Sequence, residues 1–156
     1  MPYSSFDTEI GTFTVRVENG CVTGLWLPYR KKKPPVSDFL ETETSKEAAR
    51  QIKQYFKGSR KVFDLPLDPG GTDFMGKVWK EVLKIPYGRV STYKEIAERI
   101  CHPKAFRAVG LANGKNPIPI LIPCHRVIGS NGSLTGYGGG MEMKSRLLLH
   151  EGADLG

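Results

Sequence analysis

An α+β fold in two parts is what the sequence predicts: an antiparallel sheet covered by one helix over residues 1–70, then a helical part built around a helix-turn-helix over residues 71–156. Three observations carry that reading. Apolar and polar residues alternate on both sides of Asn19-Gly20, as in a hairpin. Beyond residue 72 the apolar period becomes that of helices. Between the two lies Asp68-Pro69-Gly70-Gly71-Thr72, turn chemistry without periodicity, which marks the boundary.

In the first part Phe13, Val15 and Val17 alternate with polar residues, Asn19-Gly20 supplies a type I′ turn, and Val22, Leu25, Trp26 and Leu27 follow. The run Pro28-Tyr29-Arg30-Lys31-Lys32-Lys33-Pro34-Pro35 continues neither strand nor helix, because each proline lacks an N–H and fixes φ. Its basic quartet is read as a solvated charge cluster. Thr44 to Glu47 has the form of a capping box, and Ala48, Ile52, Tyr55 and Phe56 share one face, so a helix is expected over residues 45–57, lying on the hairpin. Phe63, Leu65 and Leu67 alternate like a short strand.

In the second part Phe74, Val78, Trp79, Val82 and Leu83 make a helical face that Ile85-Pro86-Tyr87-Gly88 stops. Thr92 and Glu95 form another capping box, opening a helix that carries Tyr93, Ile96, Ala97 and Ile100. Cys101-His102-Pro103 separates it from a helix over residues 104–113, and two short helices about a tight turn suggest a helix-turn-helix. The second helix is rich in small residues, Ala105, Ala108, Gly110 and Ala112 among them. Its backbone can therefore come close to what it faces, either a core helix or the wall of a DNA groove. Arg107 is the one long donor in its middle, which suits sequence-independent docking better than base readout.

Composition bounds the function. Lys and Arg number 23 against 16 Asp and Glu, a formal net charge of +7 that suits a polyanionic partner such as DNA or RNA without requiring one. With 39% hydrophobic and 25% charged residues the chain has the means to bury a core, which excludes disorder and collagen. The apolar stretch from Ile118 to Pro123 falls far short of the ~20 residues a membrane span needs. The first residues lack the basic and apolar regions of a signal peptide, so a cytoplasmic protein is expected. Cys21, Cys101 and Cys124 are too few for a disulfide framework; Cys21 and Cys101 are read as small buried hydrophobes, their pairing left open.

Chemistry concentrates at Cys124-His125-Arg126-Val127-Ile128-Gly129, delivered by the rigid approach Pro117 to Pro123. His125 and Arg126 put two potential cations beside Cys124, and positive charge favours the thiolate, the nucleophilic form. Neighbouring residues seldom bond side chain to side chain, so His125 is expected to act on Cys124 through a water or a special turn, with a third group holding its imidazole. Of the downstream acids Glu142, Glu151 and Asp154, Glu151 at the end of the helix containing Leu147, Leu148 and Leu149 is best placed. Taken alone, the pair also suits a cysteine hydrolase. Metal binding is disfavoured, because His102, His125 and His150 with three dispersed cysteines show no ligand spacing. The glycines from Gly136 to Gly140 follow no phosphate-loop signature, and no cofactor is expected.

The blocks Ile85-Pro86-Tyr87-Gly88, Ser91-Thr92-Tyr93, Arg107-Ala108-Val109-Gly110, Asn116-Pro117, Pro123-Cys124-His125-Arg126-Val127-Ile128-Gly129 and Gly136-Tyr137-Gly138-Gly139 together resemble the methylated-DNA-protein-cysteine methyltransferases, or O6-alkylguanine-DNA alkyltransferases. Order and spacing agree from about Phe74 to Glu151. The resemblance implies an N-terminal RNase H-like domain and a C-terminal winged helix-turn-helix that binds the minor groove of double-stranded DNA, largely irrespective of sequence, and flips out O6-alkylguanine. It makes Cys124 the alkyl acceptor, His125 the base and Glu151 its orienter. Tyr93 becomes a proton donor and Asn116 the brace of the active-site turn. Arg107 becomes the finger that fills the gap left by the extruded base, with Ala105, Ala108, Gly110, Thr92 and Arg126 also on the DNA side. Pro119 and Tyr137 line the alkyl pocket, the Gly138 N–H reaches the base oxygen, and the Cys124 and Val127 carbonyls accept from the guanine amine. A monomer without metal is implied, since no Cys/His cluster matches the zinc ligands some relatives carry. Met75 and Phe106 depart from the residues common in relatives, Gln and Ala. The product, an S-alkyl cysteine, is a thioether with no good leaving group, so one turnover per molecule is expected. A silent sensor of alkylated DNA, which would lack the cysteine, and a winged-helix regulator, which would have no use for Pro-Cys-His-Arg-Val, are the rivals.

Overall fold

The computed structural model describes residues 3–28, 34, 40–132 and 140–153. Its chain divides into two compact units, Met1–Gly70 and Gly71–Gly156. The basic run Arg30-Lys31-Lys32-Lys33 lies outside the described residues, as do Tyr137 and Gly138.

In the first unit β1 (Tyr3–Thr8), β2 (Gly11–Glu18) and β3 (Cys21–Trp26) form an antiparallel sheet in that order. Asn19 and Gly20 have φ of 51° and 76°, the two left-handed residues a type I′ turn requires, and Glu18 pairs with Cys21 across it. Gly11 has φ 130°, and a Cβ there would come within 2.7 Å of Pro28 Cβ, so only glycine fits between the first two strands. Phe13, Val15 and Val17 turn to one face and are fully or almost fully buried with Ala48, Ile52 and Tyr55 of α1 (Glu43–Phe56). Each buried Phe, Val or Ile among them contributes about 1.5–3 kcal/mol by leaving water. The alternation of the sequence does not announce β1. It is held as an edge strand by full pairing with β2 and by Phe6 stacking on its cross-strand partner Phe13, ring centroids 5.5 Å apart.

Two expectations fail here. The cap of α1 is Thr42, whose side chain accepts from Ser45 N while Ser45 Oγ accepts from Thr42 N, in place of a box from Thr44 to Glu47. Glu47 is engaged instead by Arg50 and Gln51 on the helix surface. The strand expected at Phe63 to Leu67 reduces to one parallel bridge between Val22 and Leu67. Pro66, which has no N–H to give, interrupts any longer ladder.

In the second unit α2 (Asp73–Leu83) starts at Thr72, whose hydroxyl accepts from Met75 N. The capping box at Thr92 and Glu95 is present and opens α3 (Tyr93–Arg99). α4 (Phe106–Gly114) packs on both α2 and α3, making the helix-turn-helix. The turn is a Schellman closure: Cys101 N–H donates to Glu98 O at 3.0 Å and His102 N–H to Ala97 O at 2.9 Å, with Cys101 left-handed at φ 65°. That geometry points Cys101 outward, so it is exposed, against the expectation of a buried hydrophobe. α4 begins at Phe106, not Lys104, leaving Ala105 as an N-cap without a side-chain hydrogen bond. Trp79 Nε1 donates to Ala112 O at 3.0 Å and ties α2 to the end of α4. β4 (Ser91–Thr92) pairs in parallel with β5 (Val127–Ile128), and α5 (Met141–His150) closes the unit with Leu147 and Leu148 in its core. Among the described residues no helix is long and apolar enough to cross a membrane.

Candidate active site

The approach to Cys124 is held under strain. Ile120, a β-branched residue, sits at φ 72°, a left-handed conformation that costs about 1–3 kcal/mol. Asn116 imposes it from both ends: Nδ2 donates to Ile122 O and Oδ1 accepts from Ile118 N, each at 2.9 Å. Pro123, at φ −78° and ψ 62°, is then the centre of an inverse γ-turn closed by Cys124 N–H to Ile122 O at 2.7 Å. A single 3-10 turn, Cys124–Arg126, follows at once. Two tight turns in succession present the cysteine at a fixed angle, while it stays only 3% exposed.

Glu151, the C-cap of α5, joins the next two residues. His125 Nε2 lies 2.7 Å from Glu151 Oε2, with both side chains fully buried. Arg126 grips the same carboxylate as a fork, Nε to Oε1 at 2.8 Å and Nη2 to Oε2 at 3.0 Å, and its Nη1 donates to Ile85 O at 2.7 Å. Burial pushes the Glu151 carboxyl up, but the hydrogen bonds of His125 and Arg126 outweigh it and hold the group well below the usual carboxylate range. Burial pushes the His125 imidazole below its usual 6.5, against the pull of Glu151, so it is neutral at pH 7. An ionised Glu151 only accepts, so Nε2 carries the proton and Nδ1 the lone pair. That Nδ1 is buried and meets no hydrogen-bond partner among the described residues. The arrangement is a histidine fixed in the tautomer that takes a proton from a neighbour.

Arg126 corrects the sequence reading twice. It is buried and paired, so it does not lie on a DNA-facing surface, and its charge is offset by Glu151 rather than offered to Cys124. The cation that does reach the site is Lys144 on α5, 0% exposed, whose Nζ donates to Val127 O and lies 3.4 Å from Tyr93 Oη. Burial lowers its ammonium to about 8, against the opposing effect of the Cys124 charge. Asn113 on α4, also buried, donates from Nδ2 to Cys124 O at 3.1 Å. Neither residue belongs to a motif in the sequence; the one local signal is that Lys144 stands three and four residues before Leu147 and Leu148, a lysine on an apolar face. Replacing Lys144 by methionine is expected to leave the unit as stable or more so and to slow the cysteine about tenfold. The wild-type rate then falls as pH rises through about 8, where the ammonium discharges, whereas K144M lacks that limb. Superimposable pH profiles would reject the role.

The remaining candidates are distributed as follows. Thr92 spends its hydroxyl on the α3 cap, accepting from Glu95 N at 3.1 Å. Tyr93 lies against α4, where a Cβ at Gly110 would stand 3.9 Å from its ring. Pro119 and Val127 are buried near the turn. The Cys124 carbonyl already accepts from Asn113 Nδ2 and from the Val127 N–H, and the Val127 carbonyl accepts from Lys144 Nζ. Arg107 is exposed on α4 beside Ala108, and no acid pairs with it among the described residues. Among the described residues no three His, Cys, Asp or Glu side chains gather as a metal site.

A cysteine set on a tight turn next to a neutral, carboxylate-held histidine, on a helix-turn-helix unit with an exposed arginine, fits a cysteine-dependent transferase that works on DNA. The family model of the 6-O-methylguanine DNA methyltransferase DNA-binding domain matches residues 73–153. Methylated-DNA–protein-cysteine methyltransferases of Methanosarcina barkeri and Methanosarcina acetivorans are 52% and 46% identical, over 97% and 98% of this chain and 97% and 99% of theirs. The fold matches the Mycobacterium tuberculosis O6-methylguanine methyltransferase, which has also been solved as a complex with DNA, with a TM-score of 0.86 and 44% identity over 96% of this chain and 92% of that one. The chain belongs to the methylated-DNA–protein-cysteine methyltransferase family.

Proposed function

We propose that this chain repairs O6-alkylguanine in double-stranded DNA by moving the alkyl group to its own Cys124. α4 enters the minor groove with its small residues Ala108 and Gly110 against the backbone, and Arg107 takes the place of the extruded base. His125 Nδ1 receives the thiol proton across one water while Glu151 holds the imidazole. The thiolate attacks the alkyl carbon; the S–C bond forms, the C–O6 bond breaks, and its electron pair stays with the guanine. Tyr93 gives its proton to the departing guanine and takes one from the Lys144 ammonium 3.4 Å away, so the positive charge gained at His125 matches the one lost at Lys144. The S-alkyl product has no leaving group, and each molecule acts once, as a monomer, without cofactor, in the cytoplasm.

The single observation that carries this reading is the buried relay Glu151–His125 beside Cys124, with the imidazole lone pair on Nδ1. Intact-mass measurement with peptide mapping, after mixing with excess duplex bearing one O6-methylguanine, is expected to find one added methylene on the Cys124 peptide and no further turnover. An unmodified duplex should add nothing. Tight binding to the lesion without mass gain would make the chain a sensor, and repeated turnover of a small ester would make it a hydrolase.

A further inference from the structure

α4 presents an outer face that its fold does not need. Val109 and Ala112 bury its inner side, completing the packing against α2 and α3. Yet Phe106 in the first turn is 44% exposed and Leu111 is 68% exposed. The Phe106 ring lies 5.9 Å from the Arg107 guanidinium, so the two outward side chains stand together at the start of the helix. Lys104, Arg107 and Lys115 are the charged residues on and beside this helix, and all are exposed; no acidic residue interrupts them between residues 99 and 141. That charge fits a phosphate backbone. A bulky ring is out of keeping with a helix whose other residues, Ala105, Ala108 and Gly110, allow close approach. It fits if the ring enters the base stack, as apolar side chains do in proteins that kink DNA from the minor groove.

We infer that Phe106 is a second extrusion wedge beside Arg107, inserting between base steps of duplex DNA at the lesion. The inference rests on the function proposed above. Arg107 supplies donors to the orphaned partner base, and Phe106 covers the face of the adjacent pair that loses its stacking neighbour. Its role is to lower the unstacking free energy of flipping, and it does nothing for the cysteine itself.

The experiment compares single-turnover alkyl transfer to Cys124 in the full chain from two substrates, a short duplex with central O6-methylguanine and the free base O6-benzylguanine, at saturating concentrations. Phe106→Ala is expected to slow the duplex reaction about tenfold and to leave the free-base reaction within about twofold, as Arg107→Ala also should. Placing the lesion opposite an abasic site, where extrusion costs less, should shrink the F106A deficit. Phe106→Leu should recover part of the rate. Leu111→Ala, five residues further on, should weaken duplex binding without changing the saturating rate. The wedge is overturned by an F106A duplex rate equal to wild type, by equal losses on both substrates, or by a loss confined to binding and matched by L111A. Failure of the wild-type chain to take up methyl from the duplex would instead sink the underlying reading, whatever the variants do.

Discussion

Exchanging Cys124 for alanine is expected to abolish alkyl transfer outright while the protein still folds and still binds DNA. The sulfur is the atom proposed to keep the alkyl group, and the other cysteines lie outside the turn that carries it. Cys101 is exposed in the turn between α3 and α4, and Cys21 belongs to the other unit, at the start of β3. Removing one buried atom leaves a small void, costing about 1 kcal/mol. The surface proposed to meet DNA lies on α4, whose bond to this segment runs from Asn113 to the backbone carbonyl of Cys124, which alanine retains. Intact mass after incubation with methylated duplex should therefore stay constant, and electrophoretic retention of the duplex should match wild type. Any mass gain in C124A would place the nucleophile elsewhere.

Loss of Glu151 is expected to damage both stability and chemistry. In E151A the Arg126 guanidinium remains buried with Ile85 O as its one acceptor among the described residues, and His125 loses the group that fixes its tautomer. Leaving a buried charge unpaired costs ~3–5 kcal/mol against the ~5–15 kcal/mol that hold a domain together. The transfer rate should fall by two or more orders of magnitude, ~100-fold, as wrong-tautomer histidines do in other relays. The pH dependence follows from the depressed carboxyl. Its stabilising contribution is complete above the ordinary carboxylate value of 4.5 and is lost as pH falls below that toward the lower folded value. Wild type should thus destabilise in acid over that window more steeply than E151Q. The double variant R126M/E151Q removes the stranded cation as well, so thermal unfolding should recover relative to E151A while transfer stays low. Recovery of transfer in the double variant would show that Glu151 serves the fold alone.

Legibility in the sequence followed the range of the forces involved. The Asn19-Gly20 turn and the Thr92–Glu95 capping box are decided by neighbours in the chain, and both stand where the sequence puts them. β1 is a polar edge strand stabilised by its partner, so its own residues carry no pattern. Arg126 next to a cysteine reads as a solvent-facing cation until the fold brings Glu151 back across 25 residues to pair with it. Lys144 and Asn113 were unreadable for the same reason: each is polar among apolar neighbours, and only the tertiary contact to Val127 O or Cys124 O tells a buried role from a surface one.

The shared carboxylate also bears on how the second unit breathes. The end of a helix ordinarily frays, its last turn opening and closing in water at almost no free-energy cost. α5 ends differently, since peeling Glu151 away would strand the Arg126 guanidinium and the His125 imidazole inside the protein. Partial detachment is then less favourable than remaining folded and gains none of the solvation that complete unfolding gains. The last turn of α5 is bound to the cooperativity of the whole unit, and amide hydrogens there should exchange with solvent only when the unit as a whole comes apart.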